Sequence, residues 1–209
     1  MIKLQKEVIK YAKKLNSTNL SILRSGNISL RAKFKNIEGF LITPSGRKYE
    51  TLLPKEIVFV SLDGNYDKDG LKPSSEWKFH QDIYLEKNEA NAIVHAHSLY
   101  ATSLSVHGKL IPAFHYMVAL AGGDDIKCSK YATFGTRALS RSIIKALKDR
   151  RACLMSNHGQ VAYGDDLGKA FELAEEVENL CHQYSEVKKI GNPNILSKKE
   201  MISVLKKIK

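Results

Sequence analysis

The chain has 209 residues, 43% of them hydrophobic and 26% charged; this is the balance of a soluble globular protein, and the length fits one domain spanning 1–209. Lys and Arg number 33 against 22 Asp and Glu, a net charge of +11, but the C-terminal basic run from Lys188 to Lys209 has no interleaved aromatic residues, so it reads as a solvated face that steers anions and not as a nucleic-acid surface. No run of 18 apolar residues is present, which excludes a membrane-spanning helix; the N-terminus lacks a signal-peptide pattern, and the scattered Cys128, Cys153 and Cys181 point to a reducing cytoplasm.

Val8, Tyr11, Ala12 and Leu15 fall at helical spacing and predict an amphipathic helix over 2–15. Alternation predicts a short strand over Asn27–Arg31 and a second over Gly39–Ile42, which runs into a Thr43-Pro44-Ser45-Gly46 turn. Ile57–Val60 reads as a buried third strand. Pro73-Ser74-Ser75 predicts the opening of a helix that continues through Leu85, since serine caps well and proline tolerates the entry. Ala92–His97 follows as a central strand, then helices over Leu99–Val106 and Thr136–Leu147, a strand over Ala152–Ser156 and a long helix over Asp166–Val187. Beyond Gly191-Asn192-Pro193 a tail is expected, closing in a short helix at Lys198–Lys207. This mixture predicts a layered α/β domain. Its early connections are too short for βαβ crossovers, so the sheet is expected to be mixed or antiparallel.

Four residues carry the chemistry. On a strand, His95 and His97 share a face while Ala96 points away, so both imidazoles can address one ion. His158, in Asn157-His158-Gly159 just past the Ala152–Ser156 strand, sits where the glycine permits a tight turn that aims a third imidazole inward. Glu76 adds a carboxylate at the start of a helix. Histidine is common in this chain, with His80, His107, His115 and His182 besides, and each histidine alone would be read as a hydrogen-bonded or surface residue. Jointly, three imidazoles and a carboxylate form a ligand set for a divalent ion, zinc first, with manganese and cobalt also compatible. Glu76 in such a set can close the site at rest and act as a base in turnover.

Three segments combine glycine with small donors: Ser25-Gly26-Asn27, Thr43-Pro44-Ser45-Gly46 and Ser74-Ser75. Each can offer backbone N–H groups and a hydroxyl or amide to an anion, and the last is expected at a helix N-terminus, where the dipole favours negative charge. Ser-Gly turns and serine caps are more often structural. Here Ser74 and Ser75 directly precede Glu76, which would set an anion pocket beside the metal. No P-loop or dinucleotide pattern is present.

With these residues in place, the chain resembles the class II aldolase/adducin family over nearly its whole length. The most specific stretches are Leu71-Lys72-Pro73-Ser74-Ser75-Glu76-Trp77, Ile111-Pro112-Ala113-Phe114-His115-Tyr116-Met117 and Tyr131-Ala132-Thr133-Phe134-Gly135-Thr136-Arg137. The last two point to its fuculose-phosphate branch. The resemblance implies a three-layer α/β/α domain with a mainly antiparallel sheet, assembled as a homotetramer with active sites at subunit interfaces. It implies one Zn2+ per subunit on Glu76, His95, His97 and His158. Gly26, Asn27, Ser45, Gly46, Ser74 and Ser75 would hold the substrate phosphate and Phe134 would line the aldehyde side. Tyr116, supplied by a neighbouring subunit, would be catalytic with Glu76. The implied reaction is reversible cleavage of L-fuculose 1-phosphate to dihydroxyacetone phosphate and L-lactaldehyde. The alternatives are a related aldolase, 4-epimerase or dehydratase on another ketose phosphate such as 5-deoxyribulose 1-phosphate. Without the resemblance, Tyr116 would be read as an ordinary packing residue.

Overall fold

The computed structural model describes residues 1–208, in the order α1 (Ile2–Ser17), β1 (Asn27–Phe34), β2 (Ile37–Ile42), β3 (Val58–Ser61), α2 (Trp77–Glu86), β4 (Ala92–Ala96), α3 (Leu99–Ser105), β5 (Ile111–Pro112), β6 (Asp125–Ile126), β7 (Cys128–Ser129), α4 (Arg137–Ala146), β8 (Ala152–Met155), β9 (Gly159–Gly164), α5 (Leu167–Ile190) and α6 (Lys198–Ile208). Seven strands form one sheet in the order β3-β2-β1-β4-β9-β8-β7, antiparallel at every step except β7–β8, while β5 and β6 pair separately. Among the described residues no helix is long and apolar enough to cross a membrane.

Strand alternation builds two cores, one on each face of the sheet. Ile28, Leu30, Ala32, Ala92, Val94, Ala96 and Leu154 face the layer of α1, α3 and α5. Phe40, Ile42, Val60, Ile93, Met155 and Val161 face α2 and α4, which contribute Phe79, Ile83, Leu139 and Ile143. The result is an α/β/α sandwich with a mostly antiparallel sheet, as expected. Burying Phe79 and Ile83 contributes on the order of 3–6 kcal/mol to docking α2, the helix that begins beside Glu76.

Beyond shifts of a few residues at helix ends and the unpredicted short strands β5, β6 and β7, the structure differs from the sequence reading in four places, each with a physical cause. The first hairpin is longer than predicted: β1 reaches Phe34 and β2 starts at Ile37, joined by Lys35 and Asn36, both with positive φ (48° and 64°), the tight turn that suits the strand twist. The helix expected to open at Ser74–Ser75 begins at Trp77. Residues 72–74 instead pair with the loop after β2, through Ser45 N–H to the Lys72 carbonyl (3.0 Å) and Ser74 N–H to the Thr43 carbonyl (3.0 Å). Strand β9 was not predicted at all, because Gly159-Gln160-Val161-Ala162-Tyr163-Gly164 is buried throughout and shows no alternation; it nevertheless pairs with β4 along its length. The expected tail is docked: Leu196 N–H binds the Ala113 carbonyl (2.9 Å), and α6 buries Met201 against the body of the protein.

Candidate active site

His95 lies on β4, on the same face as Ile93, and is fully buried, opposite Asn27 of β1 and Val161 of β9. Its Nδ1–H donates to the Gln160 carbonyl at 2.8 Å, which leaves the Nε2 lone pair pointing forward. His97 follows the end of the strand, its N–H held by Ser21 Oγ at 3.0 Å. His158 occupies the β8–β9 turn, braced by hydrogen bonds from its N–H to the Met155 carbonyl (3.0 Å) and from Asn157 N–H to the Ser105 carbonyl (3.3 Å). The left-handed residue of that turn is Asn157 (φ 55°); Gly159 serves close approach instead, since a Cβ there would lie 2.3 Å from the Ala96 carbonyl oxygen. Gly26 does the same on the other side: its φ is 75°, and a Cβ would meet the His95 carbonyl oxygen at 2.6 Å. These two glycines let three chain segments crowd one end of the sheet.

There the three imidazole rings form a near-equilateral group, with centroids 4.8, 4.9 and 4.9 Å apart. His95 Nε2 is 2.9 Å from His97 Nε2 and 3.1 Å from Glu76 Oε2, and His158 Nε2 is 3.2 Å from Glu76 Oε1. One ligand atom from each of the four residues lies within 4.8 Å of the others. With Nδ1–H given to Gln160, a neutral His95 sets its Nε2 lone pair against Glu76 Oε2, and Glu76 Oε1 is buried without a hydrogen-bond partner. Ligands about 2.0–2.1 Å from a tetrahedral ion stand roughly 3.3 Å apart, close to what is seen. A divalent cation relieves both conflicts, so the residues present fit one.

Charge balance points the same way. Burial pushes the Glu76 carboxyl up, but the neighbouring His95 and His158 outweigh it and hold the group well below the usual carboxylate range. Burial, and then the other histidines, depress His97 to about 3; burial and then His95 depress His80 to about 3. A depressed imidazole stabilises the fold fully above about 6.5 and loses that contribution as pH falls toward 3; Glu76 follows the same direction below its ordinary range. Metal-free protein is therefore expected to lose stability on acidification, at about 1.4 kcal/mol per pH unit for each such group. Denaturant midpoints at pH 7 and pH 4.5 check this, and equal midpoints would contradict it.

The histidine-carboxylate group opens into a cleft of about 500 Å³. Gly26, Asn27, Ser45, Gly46, Ser74, Ser75 and Phe134 all line it, so the three glycine-and-donor segments share one cavity with Glu76, His97 and His158. The Ser45 and Ser74 N–H groups are engaged in pairing the two loops, which leaves their hydroxyls to face an anion. The Asn27 side chain is likewise committed: its amide donates to Glu76 Oε2 at 3.0 Å and its carbonyl oxygen contacts His80. Tyr116 is not brought in. It is half exposed, at the start of a short 3-10 helix (Tyr116–Ala121), and does not line this cleft.

Sequence reasoning missed several residues that the fold places at the site. Arg24 is the single Lys or Arg lining the cleft, with Nη1 on the Gly46 carbonyl at 3.0 Å. Tyr131 joins Phe134 as a second exposed aromatic at the rim. Asn27, Ser29, His80 and Tyr84 form a buried polar line behind Glu76. A useful signal was available for that line: Ser29 sits at a buried strand position, and His80 lies one helical turn after Glu76.

Comparison with known proteins agrees with the geometry. Residues 6–185 match the family described as Class II Aldolase and Adducin N-terminal domain. The chain is 45% identical to the 5-methylthioribulose-1-phosphate/5-deoxyribulose-1-phosphate aldolase of Rhodospirillum rubrum, covering 100% of this chain and 92% of that protein. It is 42% identical to the L-fuculose phosphate aldolase of Escherichia coli K12, over 99% of this chain and 94% of that one. A solved structure of an L-fuculose 1-phosphate aldolase superimposes with a TM-score of 0.92 at 37% identity, covering 99% of this chain and 96% of that one.

Proposed function

We propose a function from a fixed premise: the chain belongs to the class II aldolase and adducin family, and its curated relatives are aldolases. The proposed reaction is reversible aldol cleavage of a 1-phosphorylated 2-ketose to dihydroxyacetone phosphate and an aldehyde. The observation that carries it is the shared cleft, in which Glu76, His97 and His158, with His95 buried directly behind them, stand beside hydroxyls, an amide and a guanidinium. A sugar phosphate needs both halves at once.

Glu76, His95, His97 and His158 would hold the divalent ion, and zinc is the choice best suited to three nitrogen ligands. When bound, such an ion supplies Lewis-acid stabilisation of the negative charge that develops on oxygen as the carbon–carbon bond breaks. The chain's own groups do the rest. Ser45, Ser74 and Ser75 take the phosphate with the Gly26 and Gly46 backbone, and Arg24 supplies its countercharge. Anchoring the phosphate fixes the ketose along the cleft, so its carbonyl end meets the ligand group. Glu76 Oε1, without a hydrogen-bond partner, moves the proton at the carbon that becomes part of dihydroxyacetone phosphate. Among the described residues no lysine lines the cleft, and the proposed route uses no Schiff base.

The aldehyde half faces Phe134, Tyr131 and Ala132. This apolar rim suits ketoses whose far end is a methyl group, which L-fuculose 1-phosphate and 5-deoxyribulose 1-phosphate share with L-rhamnulose 1-phosphate. Cleavage of the first releases L-lactaldehyde, and of the second acetaldehyde. A coupled assay for dihydroxyacetone phosphate against all three tests the reading. Turnover of at least one of these deoxyketoses is expected, and no cleavage of any would overturn it.

Tyr116 is assigned the proton transfer at the hydroxyl whose oxygen becomes the aldehyde carbonyl, acting from a second subunit in a homotetramer. Its exposure and its position outside its own chain's cleft support that placement. Tyr116→Phe is then expected to slow cleavage by about 10²-fold or more. Proton exchange on dihydroxyacetone phosphate, which needs only Glu76, should persist. Equal loss of both activities would remove the tyrosine from the chemistry.

A further inference from the structure

Behind Glu76, on the α2 side of the sheet, runs a continuous line of buried polar groups. Glu76 Oε2 accepts from Asn27 Nδ2 at 3.0 Å; Asn27 Oδ1 meets His80 Nε2 at 2.5 Å; His80 Nδ1 meets Ser29 Oγ at 2.7 Å; and Ser29 Oγ meets the Tyr84 hydroxyl at 2.7 Å. Exposure is 3% for Asn27, 0% for Ser29 and His80 and 1% for Tyr84, so water does not compete for any link.

The chemistry of the two ends fixes every hydrogen between them. An ionised carboxylate only accepts, so Asn27 must turn its NH₂ toward Glu76. That leaves the amide oxygen facing His80, and His80 must carry its proton on Nε2. Its Nδ1 is then an acceptor, which makes Ser29 the donor, and Ser29 accepts in turn from Tyr84. The donors run one way, Tyr84 to Ser29 to His80 to Asn27 to Glu76, and each bond polarises the next. The His80 ring is itself held by stacking on Phe79, with centroids 4.5 Å apart.

This line makes the two oxygens of Glu76 unequal. Oε2 is tethered from behind by Asn27, whereas Oε1 has no hydrogen-bond partner. We infer that His80 is a positioning residue: through Asn27 it locks one oxygen of Glu76 and thereby sets the carboxylate's aim toward the ion and the substrate. The Asn27 side chain accordingly belongs to the carboxylate's support. Groups that orient a ligand from behind in this way typically carry 10–100-fold in metal affinity or activity.

The inference rests on the reading of Glu76, His95, His97 and His158 as a metal site, and the test separates the two. Zinc affinity of the full-length protein is measured by chelator competition, alongside kcat and KM. His80→Phe keeps the aromatic stack and removes both polar atoms; about a 10-fold loss of zinc affinity and at least a similar fall in kcat are expected, with KM changed little. His80→Gln can still donate to Asn27 and accept from Ser29, and should recover most of both. In a Glu76→Ala background, where the tether has nothing to hold, His80→Phe should cost no further zinc affinity. Additive loss in that background, or an unchanged affinity in His80→Phe alone, overturns the inference. Should His80→Phe fail to fold, Ser29→Ala carries the test: a loss of about threefold supports the line and an unchanged affinity overturns it. Wild-type protein that binds no zinc or other divalent ion would sink the metal-site reading itself.

Discussion

Glu76→Gln lowers kcat by about 10²–10⁴-fold, the range lost when a positioned acid–base group is removed, while the protein keeps its fold and leaves gel filtration with its metal. The expectation follows from the carboxylate's surroundings. Its charge is secured by His95 and His158 against the cost of burial, so at neutral pH it is an anion able to take a proton. Glutamine preserves the shape and a weak ligand oxygen but has no basicity. Three imidazoles remain to hold an ion, and the helix entry at Trp77 does not depend on the Glu76 side chain, which makes no capping hydrogen bond. Metal content by elemental analysis and steady-state rates on the best ketose phosphate decide it. Activity above a tenth of wild type would remove Glu76 from the proton transfer.

Stripping the metal should abolish cleavage and spare the fold. Dialysis against a strong chelator is expected to take activity below about 1%, and a stoichiometric divalent ion, zinc foremost, should restore it. The fold survives because both apolar cores are built from side chains other than these four. Stability still falls, since a ligand that binds only the native state contributes about 2.7 kcal/mol at a hundredfold excess over its Kd. A measurable drop in Tm with chelator, recovered on adding the ion, accompanies the loss of rate. Full turnover after quantitative metal removal would refute the proposed chemistry.

The ingredients of the site were legible in local pattern. His95 and His97 two apart on an apolar run, a histidine in a turn after another strand, and a glutamate behind two serines were enough to name the ligand set. They were legible because strand alternation is a local rule: whatever else the chain does, residues 95 and 97 share a face. The same rule, together with the helical spacing in α1 and α5, made the layered α/β class readable. The buried β9 escaped it, because a strand covered on both faces has no alternation to detect.

Which residues meet is set by long-range packing. The convergence of residues 76, 95, 97 and 158 depends on β4 pairing with β9 and on two glycines that let backbones approach closely, and neither can be read from local pattern. Tertiary packing likewise moved the start of α2 past Ser74 and Ser75, because residues 72–74 pair with the loop after β2. It also joined the Asn27 side chain to Glu76, in line with His80, Ser29 and Tyr84. The reason is common to all three. Composition and spacing say what a side chain can bond to, whereas its actual partner is set by long-range contacts, and for a buried polar group nearly every bonding site must be filled by whatever the fold brings alongside.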